Sequence, residues 1–443
     1  MLTRIVHNSP KLCTFFDQLN IHLSKPQRQH ILNLADALLV CEDEKTLAAL
    51  QRQFIAAPDA SNMADFLRIS PWKAADVRSA VRLNQVNWAV AQAERLGWPK
   101  VLYINIDDSL GEKDKDTRHL EPVDWFHDHS ESTKSKPVFK NAFCYLAANL
   151  RIGKIVVTVD LRLYLRAKTV RRLNRQRKPG QRIPFRSKTS LAKSILAALR
   201  PLLPTGWIVY VQFDSWYASE QLITYVRRQE PALSLPKGWH VTCGLKHNRK
   251  LNGECCGKVA NYRIDQIASA LRHRRYLHVQ VTAADGNLTT YYVRQTTGRL
   301  QKVPFDVRVF FSKRHPREKS PAYFMSTDLT RSAQQALQGY SGRWSCEVGN
   351  FYLKTQLGLS DFRVRAYQAV DKYMVVVLLT WAYVERRFEQ ERSAQIKTYG
   401  DLIRRHRDEH AVEWLTGAVK MMQETGDLQQ VLQRYLRLET ITA

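Results

Sequence analysis

Hydrophobic positions over the first hundred residues recur at helical spacing. Ile31, Leu32, Leu34, Ala35, Leu38 and Leu39 share one face of a stretch opened by Ser24, Pro26 and Gln27. A hydroxyl at the cap with a glutamine three residues on predicts a capped helix start. Ser70-Pro71 marks a second start, running toward Leu96-Gly97, because the first turn of a helix tolerates the missing N–H of proline. The pattern then changes. Residues 101–106 form a mostly apolar run ending on Asp107-Asp108, and a similar run at 207–213 ends on Asp214. Residues 138–146 and 154–161 are rich in β-branched and aromatic side chains. Such runs predict strands covered on both faces. Helical spacing at 191–199 and 217–228 supplies crossovers, so the expected fold class is α/β.

Residues 230–320 read differently. Strand patterns at 239–245, 276–282, 288–295 and 307–311 surround Ala284-Asp285-Gly286-Asn287, where Asp-Gly signals a hairpin. Helical character returns from Leu329. The expected organisation is a helical region at 1–98, an α/β core at 99–229, a β-rich insertion at 230–320, the rest of the core at 321–390 and a helical region at 391–443.

Composition narrows the function. The chain has 443 residues, 44% hydrophobic and 25% charged, which is globular usage. Lys and Arg number 68 against 41 Asp and Glu, a net charge of 68 − 41 = +27. That excess calls for an acidic partner, and nucleic acid fits because each neutralised phosphate releases counterions. The longest apolar stretch, 373–384, is closed by Lys372 and Glu385, too short for a bilayer core of about 30 Å. Residues 1–10 lack the apolar run of a signal peptide. Seven cysteines, with Cys255-Cys256 adjacent and no CxxC pair, point to free thiols and no structural zinc. The expectation is a cytoplasmic, nucleoid-associated protein with no membrane contact.

The placement of acids suggests chemistry. Between Leu161 and Phe213 there is no Asp or Glu but 13 Lys and Arg, among them Arg171, Arg172 and Arg175. A solvated loop would look the same. Beside a lone Asp214 at a strand end, however, cations to hold a phosphate backbone adjoin a carboxylate that can hold metal. Asp108 also closes an apolar strand, where the crevice of an α/β sheet lies. Tyr340, Arg343, Glu347 and Lys354, read as one helix, fall on a stripe about 60° wide. Asp108, Asp214 and Glu347 could bind two Mg²⁺, since carboxylate oxygens are hard ligands; Mn²⁺ should substitute.

The spacing Tyr340-x2-Arg343-x3-Glu347-x6-Lys354 resembles the YREK signature of cut-and-paste DDE transposases from bacterial insertion sequences. Phe213-Asp214-Ser215-Trp216-Tyr217 resembles that family's second acidic block, and Ile106-Asp107-Asp108-Ser109 its first. The likeness spans about residues 15–390. It implies a ribonuclease H-like core with Asp108 on the first strand, Asp214 after the fourth and Glu347 on a later helix. It implies phosphate contacts from Tyr340, Arg343 and Lys354, and DNA reading by helices in 1–98. Alignment by the hydroxyl residue that follows selects Asp108. Alternation along a strand turns Asp107 and Asp108 to opposite faces, so only one can enter the site.

The implied reaction is cleavage at the element's terminal inverted repeats in double-stranded DNA. A freed 3′-OH makes a hairpin, water opens it, and the 3′-OH then attacks target DNA. A homodimer is the family's usual assembly. The alternative is a catalytically inactive DNA-binding protein derived from such an enzyme. His127-Asp128-His129 is read as a loop, Asp160 as a turn or ion-pair residue, and Trp216 and Trp239 as core. The basic runs 246–250 and 272–275 are phosphate contacts or solvated.

Overall fold

The computed structural model describes residues 5–56, 59–128, 131–133, 135–228, 238–255, 258–271, 275–282 and 287–436. Helices α1 (Pro10–Gln18), α2 (Lys25–Val40), α3 (Leu47–Gln51), α4 (Ala60–Arg68) and α5 (Ala74–Arg95) come first. Strands β1 (Val101–Glu112), β2 (Asp124–Asp128), β3 (Val138–Ile152) and β4 (Ile155–Tyr164) follow. Helices α6 (Ala167–Asn174) and α7 (Lys188–Leu199) lead to β5 (Ile208–Phe213), α8 (Glu220–Arg227) and β6 (Trp239–Gly244). Next come β7 (Lys250–Cys255), β8 (Lys258–Arg263), α9 (Ile264–Ala270), β9 (Leu277–Thr282), β10 (Leu288–Leu300), β11 (Asp306–Lys313) and β12 (Ala322–Ser326). The chain closes with α10 (Ala333–Ser341), α11 (Ser345–Thr355), α12 (Tyr367–Glu391), α13 (Tyr399–Thr425) and α14 (Leu428–Leu436).

Local signals explain several boundaries. Ser24 accepts from the Gln27 amide while the Gln27 side chain accepts from the Ser24 amide, so α2 opens on a reciprocal cap. Helix α5 begins at Ala74, three residues after Pro71. The short hairpin strand β2 has no counterpart among the sequence runs, and it makes β5 fifth in chain order where four strands were expected.

One mixed sheet runs β2-β3-β1-β5-β6-β12-β11-β10-β7-β8, with β4 on β3 and β9 on β10. Strands β1, β5 and β6 are parallel, and β3 and β4 antiparallel beside them. The strand-rich stretch is present from β6 to β11 and continues this sheet through β12. Leu288 pairs with Thr282 across β9 and β10, but the Asp285-Gly286 turn lies outside the described residues, as do Arg272–Arg274 and His129.

Two cores cover the two faces. Phe143, Tyr145 and Ala147 of β3 join α1, α2 and α12 in one, while Leu146, Ala148 and Leu150 join β1, β5, α7 and α8 in the other. Helix α5 serves both, with Val77 and Val81 in the first and Val86, Ala89 and Ala93 in the second. The apolar run 373–384 is the buried middle of α12, and no described helix is long and apolar enough to cross a membrane. The described cysteine side chains, Cys13, Cys41, Cys144, Cys243 and Cys346, are free.

Candidate active site

Strand register brings the acids together. Tyr103 pairs with Tyr210 and Asn105 with Gln212 across parallel β1 and β5. Carrying that register two residues on sets Asp107 opposite Asp214, just past the end of β5. Side chains alternate, so Tyr103, Asn105 and Asp107 share a face. The stacked rings of Tyr103 and Tyr210, 5.4 Å apart, and the bond from Asn105 Nδ2 to Ser345 Oγ at 3.3 Å mark it. Helix α11 lies on this face, with Gly349 facing Asn149 of β3 and Thr158 of β4.

Arg343 ties the parts. Its Nη1 donates to Asp107 Oδ2 at 2.7 Å and its Nη2 to Glu347 Oε1 at 3.0 Å. Asp214 Oδ1 accepts from the amides of Trp216 and Tyr217, which fixes the turn after β5. Burial pushes the Asp107 carboxyl up to about 6; Arg343 pulls it down, while Asp214 and Asp108 push it up. Burial likewise raises Asp214. Carboxylates that crowd one another in this way are a site for positive charge.

Asp108 points to the other face. Its Oδ2 meets Lys188 Nζ at 2.5 Å, and its Oδ1 accepts from the Tyr217 hydroxyl at 2.7 Å. Cys144 Sγ lies 3.7 Å from it. Both carboxylate oxygens of Asp108 are thus engaged by groups below the strand end, away from Arg343 and Glu347.

The single helix expected over 340–354 is broken. Tyr340 closes α10, Arg343 lies in a 3-10 turn (Gly342–Trp344), and Glu347 and Lys354 belong to α11. The break is where Arg151 crosses. Its Nη2 donates to Gly339 O, and a Cβ on Gly342 would fall 2.4 Å from its Cζ. The Tyr340 hydroxyl donates to Phe213 O at 3.4 Å and its ring stacks on Phe324, so it braces the strand that delivers Asp214. Burial lowers the Lys354 ammonium, which faces Glu112, Lys140 and Asp128. Arg171, Arg172 and Arg175 are exposed on and just after α6.

Trp216, read from the sequence as core, is 56% exposed and stands beside Asp214 with Lys246 Nζ 4.9 Å and Lys188 Nζ 5.9 Å from its ring centre. Trp239 is buried as expected. Asp160 is an ion-pair residue, fully buried among Arg78, Arg82 and Arg162. Sequence reasoning missed Lys188 and Tyr217; Tyr217 sits in the same block as Asp214, and Lys188 was one cation among many.

Among the described residues, two groups of three have ligand atoms within 4.8 Å of one another: Asp36–His406–His410 and Glu112–Asp128–Glu131. The set Asp107–Asp214–Glu347 is more open, with a guanidinium between two of its members. In the first group Arg387 donates to His406 Nδ1, so His406 Nε2 carries the hydrogen that meets Asp36 at 2.7 Å. That makes the group a hydrogen-bonded clamp of α13 on α2. Burial alone would raise Asp36, but the His406 and His410 bonds hold it low.

Two family models match this chain, and the first, the DDE superfamily endonuclease, covers residues 14–251. The chain belongs to the DDE endonuclease superfamily. The second, the transposase DDE domain, covers residues 186–383. Asp107, Asp108 and Asp214 fall within the first match, Asp214 and Glu347 within the second, so this DDE endonuclease carries every candidate acid inside a matched region. The two matches together support a DDE transposase. No curated protein matches the chain.

Proposed function

We propose that this DDE endonuclease is a cut-and-paste transposase of an insertion sequence, and that its reacting acids are Asp107, Asp214 and Glu347. The observation that carries the reading is the Arg343 fork, which bonds Asp107 and Glu347 together at the end of β1, whose register with β5 runs toward Asp214. The order β4-β3-β1-β5-β6, with β1, β5 and β6 parallel, supports the ribonuclease H-like core that the resemblance implies.

The donor set fits hard divalent cations. Carboxylates at two neighbouring strand ends, one raised by burial and further by the acids beside it, would hold Mg²⁺ or Mn²⁺ together with Glu347. When bound, a pair of such ions would supply an activated water and balance charge on the reacting phosphate. The chain's own groups do the rest. Arg343 is a counter-ion to two carboxylates, and its planar fork also suits a phosphate. Tyr340 holds the end of β5. Lys188 and Tyr217 hold Asp108, which positions β1 from beneath. Arg171, Arg172 and Arg175 would contact backbone phosphates, and Lys354 the flank of the cut strand.

Nicking, hairpin formation and strand transfer are each in-line displacements at phosphorus, so one such site could serve all of them. The net charge of +27 supports DNA as substrate and association with the nucleoid. A homodimer is supported by Val412, Leu415, Val419 and Met422, exposed on α13 at coiled-coil spacing. The test is a DNA fragment bearing the gene's own flanks, incubated with Mg²⁺ beside Glu347→Gln and Asp214→Asn. Breaks at the inverted repeats, lost in both variants and in EDTA, support the reading. Binding without cutting by the wild type would favour the inactive DNA-binding protein.

A further inference from the structure

A second basic feature lies outside the acidic site. A cavity of about 690 Å³ opens between the 177–186 loop, the end of β4 and the first turn of α12. Five arginines line it, Arg78, Arg162, Arg177, Arg182 and Arg186, against one acid, Asp371.

The charges around it do not balance. Asp160 serves three guanidiniums, with contacts of 3.6 Å to Arg78, 2.6 Å to Arg82 and 2.8 Å to Arg162. Asp371 pairs with Arg78 again, and Glu121 pairs with Arg177 at 2.9 Å. Arg182 and Arg186 are exposed and make no ion pair among the described residues. Six arginines thus face three carboxylates, leaving three positive charges unbalanced at one opening. Burial lowers Arg162 against the pull of Asp160, and Arg78 and Arg82 add to the lowering.

The shape of these groups selects the ligand. Guanidinium forks match the oxygens of phosphate in pairs. The floor is apolar, with Leu163, Leu165 and Ile183, and Tyr367 stands at the wall, so sugar as well as phosphate could be covered. Position then selects its source. Leu191 lines the cavity and lies one turn along α7 from Lys188, which bonds Asp108 at the strand end bearing the candidate acids. The exposed Arg171, Arg172 and Arg175 lie just ahead of the same loop.

We infer that this cavity is a phosphate-docking site that holds the backbone of the DNA strand leaving the acidic site. The inference rests on the chain acting on DNA, and adds a second anchor that neither the acids nor the YREK positions supply. It fixes the register of the duplex from one side, so cutting at one phosphate follows from gripping others nearby.

The experiment measures binding of the full chain to a 40-base-pair duplex by fluorescence anisotropy across a series of salt concentrations, without divalent ions. Each phosphate contact contributes about 0.9 to the slope of log K against log salt. Arg182→Ala/Arg186→Ala should reduce that slope by about 1–2 and weaken binding several-fold at moderate salt. Arg182→Lys/Arg186→Lys should keep most of the slope. Lys420→Ala/Arg434→Ala, exposed charges on α13 and α14, should leave it near wild type. An unchanged slope in the alanine pair, or an equal loss in the α13–α14 pair, overturns the cavity. The cleavage assay separates this from the functional reading. Cutting with an unaltered slope removes the cavity and keeps the transposase. Binding through the cavity without cutting does the reverse, and a wild type that binds no duplex removes both.

Discussion

Asp107 and Asp108 are consecutive on β1, yet their carboxylates bond on opposite faces of the sheet: Asp107 accepts from Arg343 at 2.7 Å, and Asp108 from Tyr217 at 2.7 Å. The pleat forces this separation. Only the Asp107 face carries α11, so only Asp107 shares a guanidinium with Glu347. The pair beneath, Asp108 with Lys188, holds the strand end in place.

Trp216 stands 56% exposed beside Asp214, with Lys188 and Lys246 near its ring. Replacing it by alanine should change the melting temperature little, because a 56% exposed side chain leaves no sealed cavity. Affinity for single-stranded or unpaired DNA should fall about 5–150-fold, the effect of losing one stacked base at about 1–3 kcal/mol. Titrations of a short single strand with wild type and Trp216→Ala read this directly. Equal affinities would return Trp216 to an ordinary surface residue.

Gly342 is needed for close approach. Gly342→Ala would set a Cβ 2.4 Å from Arg151 Cζ, whose guanidinium also lies 4.0 Å from the Tyr103 ring centre. The Arg151 guanidinium must swing away, giving up its bond to Gly339 O and its place over Tyr103 beside the turn that carries Arg343. The expected cost is about 1–3 kcal/mol, seen as a lower midpoint in urea, with cleavage reduced further than stability alone explains. A fully stable and active variant would show that the turn tolerates the shift.

Glu385 predicts a pH dependence. It is buried in α12, accepts from the amide and hydroxyl of Thr158 and from Gln85, and burial pushes its carboxyl up to about 8. Below its unfolded value both states hold the proton. Between that value and 8 the unfolded chain has lost the proton while the folded chain keeps it, so stability falls as pH rises, by up to about 1.4 kcal/mol per unit. Glu385→Gln removes this group from the titration. Melting temperatures from pH 5 to 8.5 should therefore decline less steeply in the variant than in the wild type. Parallel curves would contradict the buried-acid account.

Much of this was legible in the sequence. The capped start of α2, the apolar strands and the order of Asp214 and Glu347 followed from periodicity and spacing. Position on the sheet was harder to read. A single helix over 340–354 fitted the spacing, but spacing does not report that Arg151, far back in the chain, crosses at Gly342. The choice between Asp107 and Asp108 turns on the partner-strand register, which depends on residues a hundred positions away. Trp216 looked like core because tryptophan usually is; its exposure follows from the turn that Asp214 caps. The arginines of 177–186 were visible as a basic run, while their convergence on one cavity required β4 and α12.

The most direct test compares Asp107→Asn with Asp108→Asn in cleavage of DNA bearing the gene's own flanks, with Mg²⁺ present and folding checked by thermal melting. Asp107→Asn should melt near wild type and lose cutting by about two orders of magnitude or more, as expected when a metal-holding carboxylate is neutralised. Asp108→Asn should keep the Tyr217 bond, lose about 1–2 kcal/mol of stability with the Lys188 pair, and still cut within about tenfold of wild type. A dead Asp108→Asn beside an active Asp107→Asn would contradict the account at its centre.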